Sequence, residues 1–293
     1  MTWIALALLA AFSSAAGNLA LKRAVAHGGV LVSTVVYRGV GGVLLALLVG
    51  AIGLHPHPTP AYWRTVASIL PPECVGVLCM MRALRAGALS EVQPLFALIP
   101  LFVLVGGAVI LREVPTPAAA VGVAVLTVGI YTVGLSRGGS VLAPLRALAR
   151  APSSWYAVAS SVCFSVTSVL HKFGIAEVGP LPWAATLSLG SSLSLAVTLP
   201  AASRRRVADA QPDPGPGTRL VLLAGLLFAV QQVGLQLALK LREAAYVVSI
   251  TSTSVIFASV LGVMLLRERQ AAGHRIAGAA LVSAGAALIA LGG

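Results

Sequence analysis

The chain alternates between apolar blocks and short connections that carry most of its polar and charged side chains. Each block holds about 20 residues, which as a helix crosses the roughly 30 Å of hydrocarbon in a bilayer. Ten blocks are present, at residues 3–21, 30–53, 63–81, 88–111, 115–135, 155–173, 181–199, 220–239, 244–266 and 276–291. The pattern predicts an all-α polytopic membrane protein with ten transmembrane helices.

Composition agrees with this class of protein. Hydrophobic residues make up 58% of the chain and charged residues only 10%, whereas a soluble domain carries about 25% charged residues. All four tryptophans lie at block edges, as in an interfacial aromatic belt. No Lys or Arg precedes the first block, which favours a retained helix over a signal peptide. The three cysteines lie inside blocks, where packing is expected rather than a disulfide or a metal site.

The net charge of +12 does not indicate a nucleic-acid partner, because the basic residues are spread over nearly every connection. The one cluster, three arginines at residues 204–206, lies in a loop rich in Pro and Gly. Contact with the anionic headgroups of the lipid bilayer explains such a cluster most simply.

The second half of the sequence repeats the first. Leu-Arg-Glu closes the fourth block at residues 111–113 and the ninth block at residues 266–268, which lie 155 positions later. In the blocks that follow, the pair Gly122 and Gly129 recurs as Gly278 and Gly285. Glycines seven positions apart share one helix face, where a neighbouring backbone can approach closely.

We therefore divide the chain into two five-helix repeats, residues 1–136 and 155–293, joined by a linker at 137–154. Because five is an odd number, the second repeat is expected to enter the membrane inverted relative to the first. Inverted repeats are typical of alternating-access transporters, whose substrate site lies near the midplane between the halves.

Several motifs follow one another in an informative order. The first helix ends on the basic Lys22, the second carries Arg38 early, and a Pro-bearing fourth helix ends on Glu113. In this order the chain resembles the drug/metabolite transporter superfamily, in its EamA branch. One departure is that the ninth helix has Ser254 and Val255 where the fourth has Pro100, so a hinge placed symmetrically in both halves is not supported.

The resemblance implies a multi-pass transporter of the bacterial inner membrane, a monomer or homodimer without a cofactor. It would export or exchange a small-molecule substrate. An amino acid or related organic anion or zwitterion is our first expectation. A nucleotide-sugar, organic-phosphate or multidrug-type substrate is the alternative.

The first two helices carry the main candidates for substrate binding. Arg38 lies about 12 Å into its helix, where an unpaired arginine costs about 2.5–3.5 kcal/mol or more. It is interpreted as a contact for a carboxylate or phosphate, which a guanidinium binds bidentately; the alternative is an arginine satisfied by carbonyls or by Glu91. Asn18 and Lys22 share a helix face and are further candidates, although Lys22 also fits an interfacial lysine.

The start of the fourth block offers a second group of candidates. Glu91 is interpreted as the only carboxylate close to a helix interior, and it is either a proton carrier or a first-turn Glu favoured by the helix dipole. Gln93 is a candidate substrate contact. Pro94 and Pro100 remove backbone hydrogen bonds and are candidate hinges.

The second half contributes neutral polar residues. Gln232 and Gln236 lie four apart on one helix, and Tyr246, Ser249 and Ser252 form a stripe with a spacing of three. Such a stripe either lines a cavity or joins neighbouring helices. Together with Arg38 it indicates a zwitterionic or anionic solute with an apolar part.

Other functional classes fit less well. An intramembrane enzyme would need a paired acidic, metal or nucleophile site, and none appears among the eight acids or the sequence motifs. A passive channel would need a ring of charges or a carbonyl filter, and the sequence shows a pattern for neither. No ATP-binding motif is present, which leaves exchange or proton coupling. The orientation in the membrane stays open. The family analogy expects both termini in the cytoplasm, and the cytoplasmic loops would then carry five basic residues and the opposite loops fourteen. Because cytoplasmic loops normally carry the excess of Lys and Arg, this count favours the opposite orientation.

Overall fold

The structure, a computed structural model, describes residues 2–28, 30–54, 57–86, 95–96, 98–134, 152–198, 216–254, 256–257, 261 and 272–292. This part of the chain forms ten α-helices and no strand, which confirms the all-α prediction. The helices are α1 (Thr2–Gly28), α2 (Val30–Ala51), α3 (Pro60–Ala86), α4 (Ile99–Gly106), α5 (Pro117–Gly134), α6 (Pro152–Val178), α7 (Pro180–Val197), α8 (Pro216–Leu241), α9 (Ala244–Thr251) and α10 (Ala272–Gly292).

Proline and glycine set several of the helix ends. Five helices start on a proline. The first N–H groups of a helix have no partner within the helix, so a proline, which lacks this N–H, costs no hydrogen bond there. The five are Pro60, Pro117, Pro152, Pro180 and Pro216. Helices α6 and α7 are joined by Gly179 alone, at a φ of +83°. A glycine adopts this conformation without the strain that a side chain would bring, so the two helices can reverse direction in one residue.

The Leu-Arg-Glu motif of the first half, at residues 111–113, lies at the end of a helix. Helix α4 runs into a π-helical segment, Gly107–Leu111, and stops at Arg112, whose φ is +56°. The backbone N–H of Glu113 donates to the carbonyl oxygen of Gly107 at 3.1 Å, which closes this end. The chain then turns into α5.

Within the described residues, four segments are long and apolar enough to span a membrane: Thr2–Leu21, Leu31–Ala51, Pro152–Val178 and Gly217–Leu241. Helices α3 and α7 are more polar, since α3 contains Glu73 and α7 several serines. Glu73 is only 8% exposed and Ser191 is fully shielded. The acidic side chain of α3 and much of the serine content of α7 therefore lie in the interior of the protein.

Helices of the two halves pack on each other in matched pairs. Helix α1 packs on α8 and α6 on α3, while α2 packs on α7, α4 on α9 and α5 on α10. Exchanging the two halves turns every pair into itself or into another pair. The contacts therefore follow a pseudo-twofold pattern. The largest buried apolar cluster, with Val103, Leu126 and Trp183, draws on both halves.

The repeated glycines lie where α5 and α10 cross. A Cβ atom placed on Gly122 would lie 2.9 Å from the carbonyl oxygen of Gly285, and one on Gly129 would lie 2.6 Å from the backbone nitrogen of Val282. No side chain fits at such distances. The spacing of these glycines thus predicted a close backbone contact, and the structure has one.

Candidate functional site

A cavity of about 310 Å³ lies between the two halves of the bundle. Helices α1, α2, α3 and α4 line it from the first half, and α6, α8 and α9 from the second. Its polar lining residues are Ser14, Asn18, Tyr37, Arg38, Glu73, Thr167, Ser168, His171, Gln231, Gln232, Thr251, Ser252 and Ser254. The remainder of the lining is largely apolar, so a solute with both characters fits.

An ion pair lies on the wall of this cavity. Nη1 of Arg38 donates to Oε1 of Glu73 at 2.7 Å and to Oγ of Ser191 at 3.0 Å. The two charged side chains are only 10% and 11% exposed. The Cζ atom of Arg38 also lies 5.5 Å from the centre of the Phe228 ring, within the range of a cation–π contact. The pair keeps two charges neutral as a unit inside the bundle.

The Arg38 guanidinium is not fully satisfied by these contacts. Its Nε–H is shielded from solvent and has no acceptor among the described residues. A buried donor without an acceptor costs about 1–3 kcal/mol, so a folded protein that keeps one has a reason for it, such as strain, a functional role or a bound water or ion. Arg38 therefore retains one buried donor that its described partners do not satisfy.

Serine hydroxyls join the helices that hold the ion pair. Oγ of Ser192 on α7 donates to the carbonyl oxygen of Val35 on α2 at 2.8 Å. Oγ of Ser160 on α6 donates to the carbonyl oxygen of Gly76 on α3 at 2.9 Å. Hydroxyl-to-carbonyl bonds of this kind hold membrane helices close. They tie α2 to α7 and α3 to α6, so each helix that carries a member of the ion pair is bonded to a helix of the second half.

A second polar group reaches the cavity from α6. Nε1 of Trp183 donates to Nδ1 of His171 at 2.9 Å, and Nε2 of Gln236 lies 3.0 Å from the same Nδ1. Because an indole nitrogen can only donate, Nδ1 must be the acceptor. The neutral His171 ring then carries its proton on Nε2, and both neighbours hold the ring in place.

A second ion pair joins the segment after α4 to α6 and α9. Nζ of Lys172 lies 2.9 Å from Oε1 of Glu113 and donates to the carbonyl oxygen of Arg242 at 2.5 Å. Oε2 of Glu113 accepts the backbone N–H of Ala244 at 2.9 Å. Both oxygens of this carboxylate therefore have partners, and the glutamate of the Leu-Arg-Glu motif connects the two halves.

A family model for the EamA-like transporter family matches residues 1–135 and 152–291. The chain belongs to this family. It is therefore an integral, multi-pass membrane transporter, and the resemblance drawn from the sequence is confirmed. The model matches the chain twice, once in each half, as two repeats require.

The chain was also compared with curated proteins and with solved structures. No curated protein matches the chain. A solved structure, described only as "Crystal structure of protein", superposes on the transporter with a TM-score of 0.74 over 99% of this chain and 96% of its own, at 18% sequence identity. At that identity the likeness shows the fold alone.

Four of the predicted substrate contacts line the cavity. They are Asn18 on α1, Arg38 on α2, Gln232 on α8 and Ser252 just beyond α9. Because these positions come from four different segments, the structure brings together residues that the sequence could only name separately. Their role in binding stays a prediction.

Three other predicted contacts lie outside the cavity lining. Gln236 is fully buried and bonds to His171. Oγ of Ser249 donates to the carbonyl oxygen of Ala245 on its own helix at 2.7 Å. The hydroxyl of Tyr246 accepts the backbone N–H of Thr116 at 3.3 Å, near the second ion pair. The predicted polar stripe of α9 is thus divided between the cavity and the contacts between helices.

The remaining candidates include several that cannot be placed. Glu91, Gln93 and Pro94 lie outside the described residues, as does the side chain of Lys22. Pro100 is the second residue of α4 and is buried. A proline at that position removes no hydrogen bond within α4 itself, and its role as a hinge stays a prediction.

Prediction from the sequence missed Glu73. It took Glu91 for the only carboxylate close to a helix interior, and this was wrong, since Glu73 lies in the middle of α3 and is 8% exposed. The partner expected for a structurally satisfied Arg38 was likewise Glu91, whereas the structure has Glu73. One signal was available, because Glu73 falls near the midpoint of the apolar block at residues 63–81.

Proposed function

We propose that this transporter moves a small polar metabolite, an amino acid or a related organic anion or zwitterion, by alternating access between its two halves. Export or exchange is the expected mode. The observation that carries the proposal is the buried Arg38 on the wall of a cavity that both halves line. Intramembrane charges that face an interior cavity are typical of substrate pathways.

The packing supports the alternating-access part of the proposal. The pseudo-twofold contact pattern is the one expected when two related five-helix units enclose a site between them. An odd number of helices in each unit makes inversion of the second unit the simplest arrangement. Rocking of one unit against the other would then open the cavity to each side in turn.

The charges around the cavity favour a carboxylate over a phosphate. Glu73 lies against Arg38 at 2.7 Å, so one guanidinium already shares its charge with an acid. A phosphate group, which carries up to two negative charges, would meet one cation and one anion here. No second arginine or lysine is among the described lining residues. An organic phosphate is therefore the weaker candidate.

Flux through reconstituted protein tests this function. Purified wild-type protein in liposomes is expected to take up at least one member of a panel of labelled amino acids saturably, and Arg38→Ala to lose this flux. Because Arg38→Ala also leaves Glu73 unpaired, the double variant Arg38→Met with Glu73→Gln serves as a matched control that removes both charges. The double variant is expected to fold and yet not to transport. Normal flux in the double variant would contradict a binding role for Arg38.

A further inference from the structure

We propose that Glu73 is a second specificity-determining residue of the cavity, and that the bound solute is a zwitterion that separates the Arg38–Glu73 pair. The carboxylate of the solute takes the place of Glu73 on the guanidinium, and its ammonium group takes the place of Arg38 on Glu73. This inference rests on the proposed transport function.

Both members of the pair have bonding capacity that their present contacts do not use. Nη1 of Arg38 donates to Glu73 and to Ser191, and Nε of Arg38 has no acceptor in the described part of the chain. The contact to Glu73 falls on Oε1 alone. A carboxylate can approach a guanidinium through two parallel N–H donors. Because Glu73 contacts a single guanidinium nitrogen, Nη1, a carboxylate that binds two N–H donors could replace it there.

Charge balance decides between a zwitterion and a simple anion. Among the described lining residues, the ionisable side chains are Tyr37, Arg38, Glu73 and His171. Trp183 and Gln236 both face Nδ1 of His171, which fits a neutral ring. The described part of the lining then carries one positive and one negative charge. An anion entering this site would leave an uncompensated negative charge, which is costly away from water, whereas a zwitterion leaves the site neutral.

The rest of the lining fits a solute of amino-acid size. Met80, Ile99, Phe164 and Leu235 provide an apolar surface on the same cavity. The volume of about 310 Å³ is at the lower end of the range for ligand pockets. The charged end of an amino acid and its apolar side chain can therefore both be accommodated.

Matched ligands test the inference on purified protein. Each set shares one side chain and differs in charge, as in leucine, 4-methylpentanoate and 3-methylbutylamine, with equivalent sets for phenylalanine and serine. Thermal shift of the wild-type protein is expected to show stabilisation by an amino acid and binding weaker by about tenfold or more for its anion and its amine. In Glu73→Gln the lining keeps a net positive charge, so the preference is expected to reverse in favour of the anion.

Two controls keep the inference open to contradiction. Glu73→Asp keeps the charge and is expected to keep the preference of the wild type for the zwitterion. A pH-sensitive dye in weak buffer reports protons taken up as a ligand binds, and no uptake is expected with an amino acid. Preference of the wild type for the anion, with uptake of one proton, would overturn the inference, because Glu73 would then be a proton carrier.

The failure of this inference is distinguishable from the failure of the proposed function. Flux that depends on Arg38 but occurs with an anion rather than a zwitterion would reject the role assigned to Glu73 and leave the transport function intact. Flux that does not depend on Arg38 would reject both. If no zwitterion in the three sets stabilises the wild type, the inference is also wrong.

Discussion

The two ion pairs of this transporter are built from the same chemistry and differ in how completely they are satisfied. Arg38 and Glu73 are about nine-tenths buried beside the cavity, and the Nε donor of Arg38 has no acceptor in the described chain. Lys172 and Glu113 are 20% and 19% exposed, and both oxygens of Glu113 have partners. The first pair is the one proposed to receive the solute, whereas opening the second pair would break contacts on both oxygens of Glu113.

Helix α6 connects these two regions through consecutive residues. His171 lines the cavity, and Lys172 bonds to Glu113 and to the carbonyl oxygen of Arg242. The proposed binding site and the joint between the halves, which is the Lys172–Glu113 pair, are thus separate and share helix α6.

The largest effect on stability is expected from breaking the central pair. Arg38→Ala leaves the Glu73 carboxylate buried without its cation, which lowers the free energy of unfolding by about 3–5 kcal/mol. The double variant Arg38→Met with Glu73→Gln removes both charges and is expected to recover most of that loss. Unfolding of the purified proteins in detergent, followed by circular dichroism, measures the difference. Equal losses in the single and double variants would show that the pair does not act as a unit.

A smaller effect is expected at the other pair. Glu113→Ala removes the contacts to Lys172 and to the N–H of Ala244 and is expected to cost about 2 kcal/mol. Glu113→Gln keeps an acceptor for Ala244 and is expected to cost about half as much. The same unfolding experiment gives both values. The preference for a zwitterion over an anion should be unchanged in either variant, and a changed preference would contradict the separation of the two regions.

The fold could be predicted from the sequence because hydrophobic blocks and repeats are both visible in the order of residues, without knowledge of which helices touch. Apolar blocks of helical length and the recurrence of Leu-Arg-Glu each require only the order of residues along the chain. The contact between α5 and α10 could likewise be expected from Gly122 and Gly129, whose spacing marks one face of a helix.

The site was predicted only in part, because it depends on which helices face each other. Arg38 stood out as a lone charge in an apolar block. Its partner Glu73 lies 35 positions away on another helix, and the order of residues does not show that the two helices face each other. Tyr246 and Ser252 share a helical stripe, yet only Ser252 reaches the cavity. A stripe defines a face of its helix, and only the neighbouring helices decide what that face meets.

The smallest effects are expected at His171, where two donors share one acceptor. Trp183→Phe or Gln236→Leu leaves one N–H on Nδ1, and the lost hydrogen bond is expected to cost about 1 kcal/mol in either variant. The double variant leaves Nδ1 buried without a donor, so its cost is expected to exceed the sum of the two single values.

The same experiment sharpens the comparison between the two regions. Combining Trp183→Phe with Glu113→Ala should give additive losses of unfolding free energy. Trp183 bonds to His171 and Glu113 bonds to Lys172, so the two side chains share no partner. A coupling of more than about 0.5 kcal/mol between them would mean that α6 transmits a change at one region to the other. In that case the joint would be part of the binding machinery, and the division drawn between the two ion pairs would have to be withdrawn.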